Sequence, residues 1–177
     1  MKQISILIML LLFIGCSSVT AQTHELGLRL NSLEDFNFIY KKEKNEATFV
    51  RYRFTNLQTL FSADLRNISM GFAIGWEKRK DVTEKLQFVH GWEPVASLQY
   101  TSAGEGTDTI NTRIGVGYVL GFQYNFSESF YLNMEAIPTL STLLVGFGNE
   151  FDLFTNFGFN TNAVALTAAY RFVPKKE

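Results

Sequence analysis

Apolar residues fall on every second position through about eight segments of the chain, and that spacing predicts β-strands with two unlike faces. The clearest segment is 110–126, where Ile110, Ile114, Val116, Tyr118, Leu120, Phe122, Tyr124 and Phe126 alternate with Asn111, Arg113, Gly115, Gly117, Gly121, Gln123 and Asn125. No 3.6-residue period fits it. After Ser127-Glu128-Ser129 the rhythm resumes, with Phe130, Leu132, Met134 and Ala136 against Tyr131, Asn133 and Glu135, a hairpin with a short connection. The same alternation sets Leu26, Leu28 and Leu30 against Glu25, Gly27 and Arg29. It sets Phe36, Phe38 and Tyr40 against Asp35, Asn37 and Lys41, and Val50, Tyr52 and Phe54 against Arg51, Arg53 and Thr55. Ile74 and Trp76 oppose Gly75 and Glu77, Phe88 and Trp92 oppose Gly91 and Glu93, and Tyr170 and Phe172 flank Arg171. Pro94 and Pro138 fall inside predicted strands, where a missing N–H disturbs a ladder, so bulges or extension beyond the membrane are expected there.

The N-terminus has a different pattern. Met1-Lys2-Gln3 precedes an uncharged apolar run over 4–14 and then small residues, which reads as an export signal too short for a spanning helix. Cleavage after Val19-Thr20-Ala21 makes 1–21 the signal peptide and 22–177 a single domain. A second processing reading takes Phe13-Ile14-Gly15-Cys16 as a lipoprotein box with Cys16 acylated. After the signal no apolar stretch approaches the length of a membrane helix, so a mature chain that enters a membrane does so as a closed sheet.

Volume decides which face of that sheet is inside. The chain has 17 Phe, 7 Tyr and 2 Trp, and about fifteen of these rings share the apolar face, whereas an eight-stranded barrel is only wide enough for ordinary side chains. The rings therefore point outward to lipid, and the side rich in Gly, Ser, Asn and Gln lines a narrow polar lumen. A soluble lipocalin-like barrel needs the reverse. The fold class expected is all-β, an eight-stranded antiparallel up-and-down transmembrane β-barrel. Rings near predicted turns, among them Tyr40, Trp76, Tyr124, Phe130 and Phe172, suit an interfacial girdle.

Gly71 to Lys80, the run Tyr124-Asn125-Phe126-Ser127-Glu128-Ser129-Phe130 and the closing Ala169-Tyr170-Arg171-Phe172 resemble the small outer-membrane β-barrel proteins typified by the outer-membrane protein A and X type barrels. The resemblance covers essentially the whole mature chain. It implies residence in the outer membrane and insertion by the barrel-assembly machinery, which reads a terminal aromatic signal. Here Val173-Pro174-Lys175-Lys176-Glu177 follows that aromatic, a departure from the pattern. Fold-level likeness carries no activity across.

With a periplasmic N-terminus, as in that family, the outward loops fall at 31–34, 57–65, 101–109 and 143–156, and the periplasmic turns at 42–47, 78–84 and 127–129. Two outward loops are unusually apolar. Leu57, Leu60, Phe61 and Leu65 stand in one, and Phe147, Phe151, Leu153 and Phe154 in the other. Either they pack together or prolong the strands, or they form an exposed patch that docks a partner of a membrane complex or a hydrophobic ligand.

Inward charges nearly balance, with Glu25, Asp35, Glu77, Glu93 and Glu135 against Arg29, Arg51, Arg53, Arg113 and Arg171. Buried charges persist when paired, so cross-strand ion pairs plugging the lumen are expected. A formal net charge of −1 gives no electrostatic case for nucleic-acid binding. His24 and His90 read as interfacial polar residues, and no Cys or His cluster or phosphate-binding glycine loop calls for a metal or cofactor. The function expected is a structural, surface-interaction or complex-accessory barrel rather than an enzyme. The alternative is a narrow pore or transporter for a small solute or hydrophobic ligand.

Overall fold

A computed structural model describes residues 22–31, 36–61, 66–102, 108–147, 150–158 and 164–172. The signal peptide and Cys16 lie outside them. Its elements are the strands β1 (His24–Leu30), β2 (Phe36–Asn45), β3 (Thr48–Phe61), β4 (Arg66–Asp81), β5 (Leu86–Ser102), β6 (Asp108–Asn125), β7 (Phe130–Ala136), β8 (Thr139–Phe147), β9 (Glu150–Gly158) and β10 (Val164–Phe172).

Each strand from β1 to β6 pairs antiparallel with the next, β6 pairs with both β7 and β8, β7 with β10, and β10 with β1. The sheet thus closes on itself. β7 and β8 lie end to end along β6, and β9 and β10 make up one further wall, so the ten strands form an eight-walled up-and-down barrel.

The period-two sequence produces this wall directly. Along β4 burial alternates strictly: Ser69, Gly71, Ala73, Gly75, Glu77 and Arg79 face in, and Met70, Phe72, Ile74, Trp76 and Lys78 face out. The outward side is apolar over the whole circumference, with Phe38 58%, Phe122 48% and Met134 58% exposed. A continuous belt of that extent far exceeds the apolar patches of soluble monomers. Closure also leaves no polar edge within it. The barrel therefore spans a membrane, with its rings against acyl chains.

Rings gather at the end that carries the chain termini and the short turns. His24 stacks on Tyr40, Tyr40 on Tyr52, Tyr124 meets Phe126, Phe126 meets Phe130, and Tyr170 meets Phe172. Short turns mark the periplasmic side of such barrels. They are shorter than the charge pattern suggests, because β2 runs on to Asn45 and β4 to Asp81. The β2–β3 turn is Glu46-Ala47, with Ala47 at φ 60° next to the register shift between Glu43 and Asn45.

Neither proline makes the bulge that the sequence suggests. Opposite Pro94 the β4 ladder lapses over Ile74 and Gly75, yet Ala73↔Val95 and Trp76↔Trp92 share one register, and Pro94 keeps its pairing with Val116. Pro138 separates β7 from β8, while Leu120↔Ala136 and Gly117↔Thr139 again share one register and Tyr118 N–H donates to Pro138 C=O at 3.0 Å. A missing N–H removes a bond; a bulge requires an extra residue. The register shifts occur instead between Glu43 and Asn45 and between Phe54 and Asn56.

One glycine fixes how closely β4 and β5 approach. A Cβ on Gly91 would lie 1.9 Å from Trp76 C=O and 2.8 Å from Glu77 Cα. Both are backbone, so nothing yields cheaply. Gly91→Ala is expected to lower unfolding stability in lipid vesicles by about 1–3 kcal/mol, the usual cost of overpacking. A urea midpoint equal to that of the unsubstituted protein would mean that the β4–β5 spacing is not fixed here.

Candidate functional site

Alternation sends one charged side chain after another into the lumen from β1, β2, β3, β4, β5, β7 and β10. Arg51, fully buried on β3, lies at the centre. Its Nη1 donates to Glu77 Oε2 at 3.1 Å and Glu135 Oε2 at 2.9 Å, its Nη2 to Glu135 Oε1 at 2.8 Å, and its Nε lies 2.9 Å from Glu93 Oε2. One guanidinium thus ties together carboxylates from three other strands. Towards the periplasm, Arg79 reaches Glu25 through two nitrogens at 2.8 and 2.6 Å and Glu77 at 2.6 Å. Arg171 Nε donates to Glu25 at 2.8 Å and Tyr131 O–H to the same carboxylate at 2.6 Å. Lys41 Nζ contacts Glu77 at 2.9 Å, Arg29 pairs with Glu135, and Arg53 pairs with Glu93. The Arg79 guanidinium also sits over the Phe49 ring, 3.7 Å from its centroid.

Each of these carboxylates has at least two cationic partners. A buried charge is tolerated only with its partners in place, and these carboxylates have theirs.

Of the inward charges read from the sequence, the network joins Glu25, Arg29, Arg51, Arg53, Glu77, Glu93, Glu135 and Arg171. Asp35 lies outside the described residues. Arg113 is exposed towards the outer end of β6, beside Ser97 and Leu143, and makes no ion pair among the described residues. Three participants were absent from that reading. Lys41 shares the face of Asn37, so alternation alone could have included it. Arg79 was hidden because the basic run after Glu77 reads as a turn, and Tyr131 because a ring is a poor signal for a lumen acid's partner.

The second feature is the outer end. β1 and β2 stop where Leu30 pairs with Phe36, while β3 to β6, β8 and β9 continue beyond. Among the described residues β3 pairs only with β4 above Arg53, and β9 pairs only with β8. The expected loop at 143–156 is thus a β-hairpin, and most of the expected loop at 57–65 is the end of β3. β9 pairs along its length with β8, and Leu65 of the first apolar segment lies outside the described residues.

Leu60 is 49% and Phe61 65% exposed on β3, and Phe151 is 69%, Leu153 67% and Phe157 77% exposed on β9. Phe154 is exposed on the other face of β9, opposite Leu143. Of Leu57 and Phe147 only the strand positions are described. Tyr100, Asp108, Ile110, Thr112, Leu144, Gly146 and Phe151 enclose a shallow outward-facing hollow of about 230 Å³, where Tyr100 O–H donates to Asp108 at 2.9 Å.

His90 lies on the outward face, stacked on Phe88 and 3.4 Å from Tyr118 O–H. His24 lies 2.7 Å from Tyr40 O–H. Among the described residues no three His, Cys, Asp or Glu side chains are placed to hold a metal.

No protein-family model and no curated protein matches the chain. Solved structures similar to it include Ail, the attachment invasion locus protein of Yersinia pestis, at 15% identity over 85% of this chain and 95% of that one, with a TM-score of 0.46. The same protein in complex with the heparin analogue sucrose octasulfate gives 15% identity, the same coverage and a TM-score of 0.47. Neisserial surface protein A gives 15% identity over 86% of this chain and 94% of that one, with a TM-score of 0.39.

Proposed function

We propose that this protein, a small eight-stranded outer-membrane β-barrel, is a surface-interaction protein: its ion-paired lumen is a plug, its belt an anchor, and its outer overhang the part that meets a partner. The carrying observation is β9, whose second ladder edge has no partner among the described residues and which also carries the exposed side chains of Phe151, Leu153 and Phe157. Such an edge and such a patch are both costly to leave bare. A partner protein at the cell surface, either free or part of a membrane complex, relieves both. The chain acts without a cofactor and catalyses no reaction. In this reading its terminal Tyr170-Arg171-Phe172, whose rings face outward while Arg171 turns in to Glu25, is the segment the barrel-assembly machinery handles during insertion.

Two measurements test the proposal. The triple variant Phe151→Ser, Leu153→Ser, Phe157→Ser is expected to keep heat-modifiable migration on gels, the sign of a folded barrel. Recovery of the surface partner after crosslinking on intact cells should fall about tenfold or more, the ratio that a loss of about 1.4 kcal/mol produces. Unchanged recovery removes the overhang from the function. In planar bilayers the protein is expected to give no steady conductance; steady large currents would favour the pore reading instead.

A further inference from the structure

We infer that the outward wall near the short turns carries a binding site for the headgroup of an anionic phospholipid of the periplasmic leaflet, formed by Lys78 and Lys80 on β4, His90 on β5 and Tyr118 on β6. On the ladder Lys78 stands opposite His90, and Lys80 opposite Phe88. Directly above, Trp76 opposes Trp92, and Trp92 opposes Tyr118 with the two rings edge to face at 4.7 Å.

The level is that of the headgroups. The outward positions Ile68, Met70, Phe72, Ile74 and Trp76 of β4 are all apolar and exposed, and Lys78 is the first outward charge below them. A lysine so placed lays its stem along the wall and sets its ammonium beside the lipid phosphates. Neither Lys78 nor Lys80 has an ion pair among the described residues, because the carboxylates on their strand are engaged elsewhere. Glu77 turns inward to Lys41, Arg51 and Arg79, and Asp81 accepts from Gln87 Nε2 at 2.8 Å. Glu46 and Glu84 lie farther out, in the turns.

His90 and Tyr118 add a hydrogen-bond donor. Tyr118 Oη lies 3.4 Å from His90 Nδ1, and the Phe88 ring stacks on the imidazole at 5.7 Å. When Tyr118 O–H donates across that contact, His90 Nε2–H is left over; when His90 Nδ1–H donates, Tyr118 O–H is left over. Either tautomer thus leaves one donor for a phosphate oxygen.

The cations are confined to one side of the barrel. Lys42 and Lys44 continue them onto β2, whereas at the same end β6, β7 and β10 present Tyr124, Phe130, Leu132, Tyr170 and Phe172 and no outward cation among the described residues. Rings alone hold a barrel at the interface. A one-sided group of uncompensated cations beside a donor selects for negative charge. The site is at the opposite end from the overhang and does not depend on the surface-interaction proposal.

The chain has two tryptophans, and Trp76 and Trp92 both stand beside the site, exposed to lipid. Their fluorescence provides the test. The refolded protein is placed in phosphatidylcholine vesicles containing a minor fraction of phosphatidylglycerol brominated on its acyl chains, and quenching is compared with that by brominated phosphatidylcholine at the same fraction. The relative binding constant is expected to favour phosphatidylglycerol about fivefold or more, the ratio that one lysine at a charged headgroup supplies. Lys78→Gln with Lys80→Gln should remove most of that preference, and His90→Phe part of it. Lys85→Gln, in the exposed turn, should leave it unchanged. Equal quenching by the two lipids in the unsubstituted protein overturns the inference, even where a variant fails to fold. So does a preference that Lys85→Gln lowers as much as the lysine pair does, the mark of diffuse surface charge. A preference abolished by millimolar inorganic phosphate overturns it too, since the site would then take the free ion rather than the lipid.

Discussion

Arg51→Met is expected to destabilise the folded barrel by about 3–5 kcal/mol, the range found when one partner is removed from a buried ionic cluster. The geometry makes this site the most sensitive in the lumen. Arg51 Nη1 lies between Glu77 Oε2 at 3.1 Å and Glu135 Oε2 at 2.9 Å, so without it two buried carboxylates face each other. Glu77 keeps Lys41 and Arg79, Glu135 keeps Arg29, and Glu93 keeps Arg53, but none of these bridges β4 to β7. Methionine fills much of the volume, which confines the loss mainly to charge. Arg51→Lys, a point charge that cannot fork between carboxylates, should fall between the two. Urea unfolding in lipid vesicles measures the series. A cost below about 1 kcal/mol for Arg51→Met would show that water already reaches these carboxylates and that the lumen is not dry.

The belt and the lumen network differ in how much of each could be read from residues alone. Which side of each strand faces lipid is a local property: Leu26, Leu28 and Leu30 declare it within one short strand, because a one-residue slip would turn every side chain over. Strand ends are not local. The basic residues after Glu77 read as a turn, yet Lys78, Arg79 and Lys80 continue β4, since Arg79 finds Glu25 and Glu77 inside while Lys78 and Lys80 reach solvent at the membrane face. The segment 143–156 misled for a related reason. Its Phe and Leu residues have no helical or strict period-two order, and it becomes β8 and β9 because β6 extends far enough to template them through Thr109↔Phe147. Pairing partners distant in sequence decide both cases, and a single chain read alone does not name them. The same limit applies to Arg113, whose alternation is right but whose position lies beyond the network.

Leu28→Arg is expected to cost about 2–4 kcal/mol, the depth-dependent price of a lipid-facing cation near the middle of a bilayer. Leu28 lies at the centre of β1, between Phe38 on β2 and Ala168 on β10, with Leu26 below and Leu30 above on the same face. It is 39% exposed, so the substitution overpacks nothing and the cost reports what lies outside the barrel. Val82→Arg supplies the contrast: Val82 is exposed in the short β4–β5 turn, at the water side of the girdle, and the same change there should cost about 0–1 kcal/mol. The difference between the two is the quantity to measure, by urea unfolding of both variants in vesicles of one lipid composition. A water-filled exterior makes the costs equal and small, because an arginine on a solvated strand face loses almost no hydration. A hydrocarbon exterior separates them, and the gap should narrow in thinner bilayers as the guanidinium reaches the headgroups more easily.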